Sequence, residues 1–261
     1  MKIADSTVLV TGANRGLGSA LVEEALRRGA KRIYAGGRQP FVHADRRVVP
    51  LVLDVTDAAQ IRAGVEKVDA LNILVNNAGI SLQNDLSDRA ALERLLAVNL
   101  FGTYDVTQAF LPVLVRSRSA IVNILSLASI AAVPFDALYS ISKAAAFSLS
   151  QSLRALLAGR GMSVHTVLAG PIDTDMTRNL DVPKASPERT ARAIFAGVEN
   201  EEEEISPIRC LRLSLRVGVM VRSKRSSVSL LPTSRKHLSN QKQRTHRSAG
   251  RTRDQPNGAL R

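Results

Sequence analysis

The chain has 261 residues, 45% of them hydrophobic, a length that suits one large domain or two small ones around a sizeable core. A net charge of +13 suggests nucleic acid, but residues 205–261 hold 14 of the 36 Lys and Arg and one of the 23 acids, which leaves residues 1–204 balanced at 22 against 22. That body has no bias toward polyanions, the single cysteine, Cys210, excludes a disulfide within the chain, and no apolar run of about 18 residues is present to span a membrane.

In chain order, strand-like and helix-like segments alternate. The apolar run "STVLVTG" ends at Gly12, and a helical pattern follows from about Leu17 to Arg28. "RIYAGG" and "VVPLVLD" read as the second and third strands, the latter ending at Asp54, with a helix from about Asp57 to Lys67. "NILVNNAG" is a fourth strand, followed by a long helical region over roughly Ser87 to Arg116 with Pro112 late in it. "AIVNILS" is a fifth strand, the Ala- and Leu-rich run Ala137–Ala158 a helix, "SVHTVLAG" a sixth strand, and about Pro187 to Val198 a last helix. Nearly continuous apolar strands alternating with helices predict an α/β fold, a doubly wound parallel sheet covered on both faces. Functional loops then lie at the carboxyl ends of the strands.

Two patterns carry chemistry. "TGANRGLG" follows the first strand, with Gly12, Gly16 and Gly18 spaced G-x3-G-x-G. Glycine lets the backbone turn tightly and approach a ligand, and the helix that follows offers free N–H groups to a pyrophosphate. Further on, Tyr139 and Lys143 stand at i and i+4, on one face of their helix. A nearby cation favours a phenolate, and lowering a tyrosine from about 10 to about 7 requires roughly 4 kcal/mol. Taken alone, the pair reads more readily as a surface lysine one turn from a half-buried tyrosine. The four histidines have no ligand-like spacing with Cys or acids, so no metal site is expected.

"TGANRGLG", "NNAG" at 76–79, Asn99 in "VNL", Ser126 thirteen residues before Tyr139, and "YSISK" together resemble the short-chain dehydrogenase/reductase family, in order and at family spacing from about Ser6 to Glu204. The resemblance implies a Rossmann-like fold in which Tyr139 is the catalytic acid/base and Lys143 lowers its pKa and bonds the nicotinamide ribose. It further implies that Ser126 hydrogen-bonds the substrate oxygen and that Asn99 holds a water of the proton relay. Asn99 has a second reading, as a residue that satisfies backbone groups in its helix. For the cofactor the resemblance implies Gly12, Asn14, Arg15, Gly16, Leu17 and Gly18 around the phosphates, and Asn76, Ala78 and Gly79 along the cleft. Asp54 with Val55 falls at the adenine, and Pro171, Ile172 and Thr174, in "AGPIDTDM", on the nicotinamide side. Asp54 also reads as a strand-end turn former. Ala169 and Leu125 depart from the family's usual proline and second serine.

NAD-specific folds place an acid about 20 residues past the Gly-rich turn. Here Arg38 occupies that place, and Arg15 lies inside the turn. Guanidinium groups fork onto a 2′-phosphate, so NADP(H) is the expected cofactor, with NAD(H) second; Arg38 also reads as an exposed strand-end charge. The apolar "LASIAAVPFDAL" predicts an apolar carbonyl or alcohol substrate, and the short segment after Thr174 a small lid. The resemblance implies a homodimer or homotetramer. "MKIADSTVLVTG" contains no signal-peptide pattern, which with the lone cysteine gives a cytoplasmic expectation.

After "ENEEEEI" the composition changes to a Ser- and Arg-rich, nearly acid-free stretch, so the expected division is a catalytic domain at 1–204 and a tail at 205–261. Three readings of the tail stand: a basic arm for nucleic acid or an anionic surface, an inert extension, or a shifted reading frame. The arm also supports a rival to the enzyme, a dinucleotide-binding scaffold whose tail carries the function.

Overall fold

The structure is a computed structural model that describes residues 1–82, 86–115 and 119–207. Its strands are β1 (Thr7–Val10), β2 (Arg32–Gly37), β3 (Val48–Val52), β4 (Ile73–Asn76), β5 (Ala120–Ser126), β6 (Ser163–Ala169) and β7 (Glu204–Ile205). Between them run α1 (Gly16–Arg27), α2 (Ala58–Glu66), α3 (Arg89–Leu96), α4 (Thr103–Leu114), α5 (Ala137–Leu157) and α6 (Pro187–Glu199). All seven strands are parallel, in the order β3-β2-β1-β4-β5-β6-β7. This is the doubly wound sheet the sequence predicts, and its order reverses between β1 and β4, where ligands of such sheets bind.

Both faces of the sheet are apolar because both are covered. In β1, Val8 and Val10 join a core with Leu21 and Ala25 of α1 and Ile194 and Phe195 of α6. Leu9 points the other way, into a core with Ile61 of α2, Phe110 of α4 and Leu153 of α5. The seventh strand pairs with β6 as Thr166↔Glu204 and Val167↔Ile205. Ile205 is buried, and it seats on Gly197, where a Cβ would stand 2.7 Å from its side chain. The sheet thus ends where the composition changes; from residue 208 the tail lies outside the described residues. Among the described residues no helix is long and apolar enough to cross a membrane.

The expected helical region from Ser87 to Arg116 is interrupted. Asp88 caps α3 through the Ala91 N–H, and a π-helical turn, Ala97–Gly102, separates α3 from α4. Such turns admit an extra residue and recur at functional sites. This one presses Gly102 onto Val55, where a Cβ would meet the valine at 2.6 Å, and it buries Asn99.

Candidate active site

The first half of the site is the junction of β1 and β4. Thr11, at the end of β1, accepts hydrogen bonds on Oγ1 from the N–H groups of Asn77 and Ala78, both at 3.0 Å. The Asn77 side chain donates back to the carbonyls of Thr11 and Gly12 at 2.8 and 3.2 Å. This lashing fixes the Gly-rich turn. Gly12 and Gly16 have φ of +64° and +53°, and a Cβ on Gly18 would stand 2.0 Å from the Gly12 carbonyl oxygen. No side chain caps α1 at Arg15, whereas Asp57 and Ser186 cap α2 and α6. The first-turn N–H groups of α1 therefore remain for a ligand. Leu17 is buried beneath the turn and Asn14 is exposed on it. A turn that admits no side chain, beside uncapped N–H groups, fits a dinucleotide pyrophosphate.

The rim carries the charges. Arg38 is exposed just past β2 and has no ion-pair or hydrogen-bond partner among the described residues. Arg15 donates to Asp175 at 3.1 Å across the cleft, where Thr174 packs its methyl near Gly16. Asp54 accepts from the Thr56 N–H and hydroxyl at 2.9 and 2.8 Å and turns the chain after β3; Val55 beside it is buried. In the loop after β6, Pro171 and Ile172 are stitched to Ala185 by the Ala185 N–H to the Pro171 carbonyl and an isolated β-bridge.

The second half is built on β5 and α5. Ser126 ends β5; its oxygen accepts from the Ala128 N–H at 3.1 Å, which leaves its proton to be donated. Tyr139 and Lys143 share a face of α5, with the ammonium 5.8 Å from the ring centroid. Lys143 is buried and donates to the Ile124 carbonyl at 3.1 Å. Gly79 lies against both Asn99 and Lys143: a Cβ there would be 3.2 Å from the Asn99 oxygen and 3.5 Å from the ammonium. Asn99 does not serve its own helix. Its amide exchanges hydrogen bonds of 2.9 Å with both backbone groups of Ile80 and donates to Ser142 of α5, also at 2.9 Å.

Burial dominates the electrostatics of the phenol and the amine. The Tyr139 phenol is pushed up to about 12. Burial of the half-buried phenol is the largest cause, the Asp136 charge adds to it, and the Ser126 hydroxyl opposes it. Burial also brings Lys143 down to about 8. The i, i+4 spacing reports proximity but not desolvation, and desolvation penalises both charges.

The structure gathers Gly79, Asn99, Ser126, Tyr139 and Lys143 at one end of the sheet, next to the Gly-rich turn. The Asn76 side chain is turned elsewhere, donating to Thr107 of α4 and Asn123 of β5 at 3.0 and 2.9 Å. Sequence reasoning missed Thr11, the Asn77 side chain, and a hydrogen-bonded pair, Ser81 and the buried Asp136. The signal for Thr11 was a hydroxyl at the end of an apolar strand; for Asp136, it was the lone acid in "LASIAAVPFDAL". Among the described residues no group of His, Cys, Asp or Glu could hold a metal ion.

The strand order, the glycine turn at its reversal and the hydroxyl, phenol and amine beside it define a Rossmann-like oxidoreductase. A family model described as short chain dehydrogenase matches residues 6–184, and the chain belongs to the short-chain dehydrogenase/reductase family. It is 32% identical over 224 residues to the 3-oxoacyl-[acyl-carrier-protein] reductase FabG of Thermotoga maritima, covering 80% of this chain and 90% of that protein. It is also 32% identical to a dehydrogenase/reductase SDR family protein 7-like of Anopheles gambiae over 76% of this chain and 73% of that one. The crystal structure of a short chain dehydrogenase from Burkholderia cenocepacia J2315 in complex with NADP superposes with a TM-score of 0.82 at 34% identity, over 89% of this chain and all of that one.

Proposed function

We propose that the protein is an NADP(H)-dependent carbonyl reductase or alcohol dehydrogenase in which Tyr139 is the acid/base. The observation that carries this reading is the convergence of Ser126, Tyr139 and Lys143 beside a glycine turn that fits a pyrophosphate. A nicotinamide cofactor held at the glycine turn would supply the hydride in reduction and take it up in oxidation. Tyr139 donates its phenol proton to the carbonyl oxygen, and solvent restores it. Ser126 donates a hydrogen bond to that oxygen as negative charge develops on it. Lys143 offers its charge to the phenolate left behind and its N–H groups to the ribose, and Asn99 holds the Ile80 loop against α5.

Arg38 supports NADP(H), with NAD(H) as the weaker cofactor, because a cation and no acid stands directly after β2; Arg15, in the Gly-rich turn, is paired with Asp175. The NADP complex of the Burkholderia cenocepacia relative agrees with this. The substrate is an apolar carbonyl or alcohol compound, in keeping with the apolar segment between Ser126 and Tyr139. A homodimer or homotetramer is supported by the exposed Phe101 and Tyr104 before and in α4 and Ile141 and Leu156 on α5.

NADPH oxidation with a panel of ketones, aldehydes and quinones, wild type against Tyr139→Phe, tests the reading. The expected result is turnover by the wild type and a loss of about 10³-fold or more in the variant with NADPH binding retained. Equal turnover by Tyr139→Phe rules the mechanism out.

A further inference from the structure

The segment after β6 is a loop pinned at its root. The Ala185 N–H donates to the Pro171 carbonyl at 3.0 Å, the Asp173 N–H donates to the Ala185 carbonyl at 2.9 Å, and Ile172 and Ala185 form a β-bridge. Between these ends little holds the chain. No residue from Asp173 to Arg189 is buried, and the large apolar side chains of Met176 and Val182 are exposed. The loop's own structure is one short turn, Asp175–Thr177, in which the Thr177 hydroxyl donates back to the Ile172 carbonyl. A segment with a fixed base and no share in the core opens at low cost.

Two contacts hold this loop on the Gly-rich turn. Thr174 lies against Gly16, where a Cβ would stand 3.2 Å from the threonine methyl. Asp175 accepts from the Arg15 guanidinium at 3.1 Å, and also from Arg178 of its own loop. Among the described residues no other hydrogen bond or ion pair ties residues 174–184 to β1, α1 or the turn between them. Arg15 is the residue at which α1 starts without a side-chain cap, so both contacts close on the N–H groups where a pyrophosphate fits. The two charged side chains are 66% and 53% exposed. Such a pair in solvent forms and parts readily, and salt weakens it.

We propose that Arg15 and Asp175 form a strap at the pyrophosphate site, an ion pair that shuts the loop after β6 on the Gly-rich turn and sets how fast a dinucleotide enters and leaves. The inference rests on the reading that a dinucleotide is held at that turn. The pair is closed in the free protein, so it must part before a dinucleotide enters, and it must part again before one leaves. Its strength therefore adds to the barrier in both directions and leaves the affinity nearly unchanged. The strap acts at the pyrophosphate, which NADP(H) and NAD(H) share, and so slows both alike. A competing role for Asp175 has a different signature. A carboxylate that only occupied Arg15 in place of a 2′-phosphate would, once removed, tighten NADPH and leave NADH alone.

The test is stopped-flow fluorescence of NADPH and NADH binding and release by the full chain, for wild type, Asp175→Asn and Asp175→Glu. Asn keeps the size and an acceptor oxygen and removes the charge; Glu keeps the charge. The expected result for Asp175→Asn is that association and dissociation of both nucleotides quicken by about two- to fivefold, with Kd changed by less than about twofold. Asp175→Glu should keep the slow rates of the wild type, and the difference between wild type and Asp175→Asn should vanish by about 1 M salt. Dissociation that is unchanged in Asp175→Asn, or NADPH that binds more tightly while NADH does not change, overturns the strap and leaves the proposed function standing. A wild-type protein that binds neither nucleotide removes the proposed function, and with it the premise.

Discussion

Replacing Lys143 with methionine is expected to inactivate the enzyme and to make the fold more stable at neutral pH. The amine's folded pKa is about 8 against an ordinary 10.5, and burial is the cause. A folded pKa below the unfolded one means that the unfolded chain binds more protons between those values, so stability rises with pH across that window. Equivalently, the charged amine costs the folded state its full penalty below pH 8, and the penalty is gone above 10.5. With about 1.4 kcal/mol per pKa unit, the penalty is roughly 3 kcal/mol at pH 7, about 2 at pH 9 and under about 0.5 at pH 10.5. Methionine has a similar length, carries no charge and fills the same space; losing the bond to the Ile124 carbonyl returns about 1 kcal/mol of this. Urea unfolding of both proteins at pH 7, 9 and 10.5 measures the difference directly. Tyr139, pushed up to about 12, acts in the opposite sense above pH 10, but it is present in both proteins and cancels. A Lys143→Met protein less stable than wild type at pH 7, or a difference that does not shrink as pH rises, would refute the desolvation argument.

Gly18→Ala would set a Cβ 2.0 Å from the Gly12 carbonyl oxygen, so the turn or α1 must move by about 1 Å. A thermal melt and an NADPH fluorescence titration should show a loss of about 2–3 kcal/mol and binding weakened more than tenfold. Ser126→Ala removes the proton donor beside the phenol and should lower kcat by about 10²–10³ with little change in NADPH binding, checked by steady-state kinetics and the same titration. Arg38→Asp replaces an unpaired cation with an anion where the 2′-phosphate of NADP would lie. The NADPH/NADH ratio of kcat/KM should fall by about tenfold or more, and an unchanged ratio would remove Arg38 from cofactor choice.

The fold was legible because its signals are local. Apolar runs alternating with helical periods set the sheet, and "TGANRGLG" between β1 and α1 announced the ligand turn. Tyr139 and Lys143 were legible as a pair because a helix fixes their spacing. The π turn at Ala97–Gly102 was not, and it brings Gly102 against Val55, more than forty residues away in sequence. Thr11 was missed for the same reason, since its partners, Asn77 and Ala78, arrive only when β1 and β4 pair. The burial that pushes Tyr139 up was not legible, because burial, unlike spacing, depends on everything packed around a group.

That burial bears on how the site works. A phenol and an amine alone in water would exchange influence by charge, and the cation would win. Inside the fold both are desolvated, the amine is tied to the Ile124 carbonyl, and a third, anionic group, Asp136, stands at the start of the same helix. Burial keeps the proton on Tyr139, as the proposed donation to a carbonyl requires. The ammonium opposes it, and it matters most after the proton has left. In the proposed reaction the neutral phenol is the state before transfer, and Lys143 would supply the counter-charge when the phenolate forms. The stability that the fold gives up to bury Lys143 is the quantity that the Lys143→Met comparison reads.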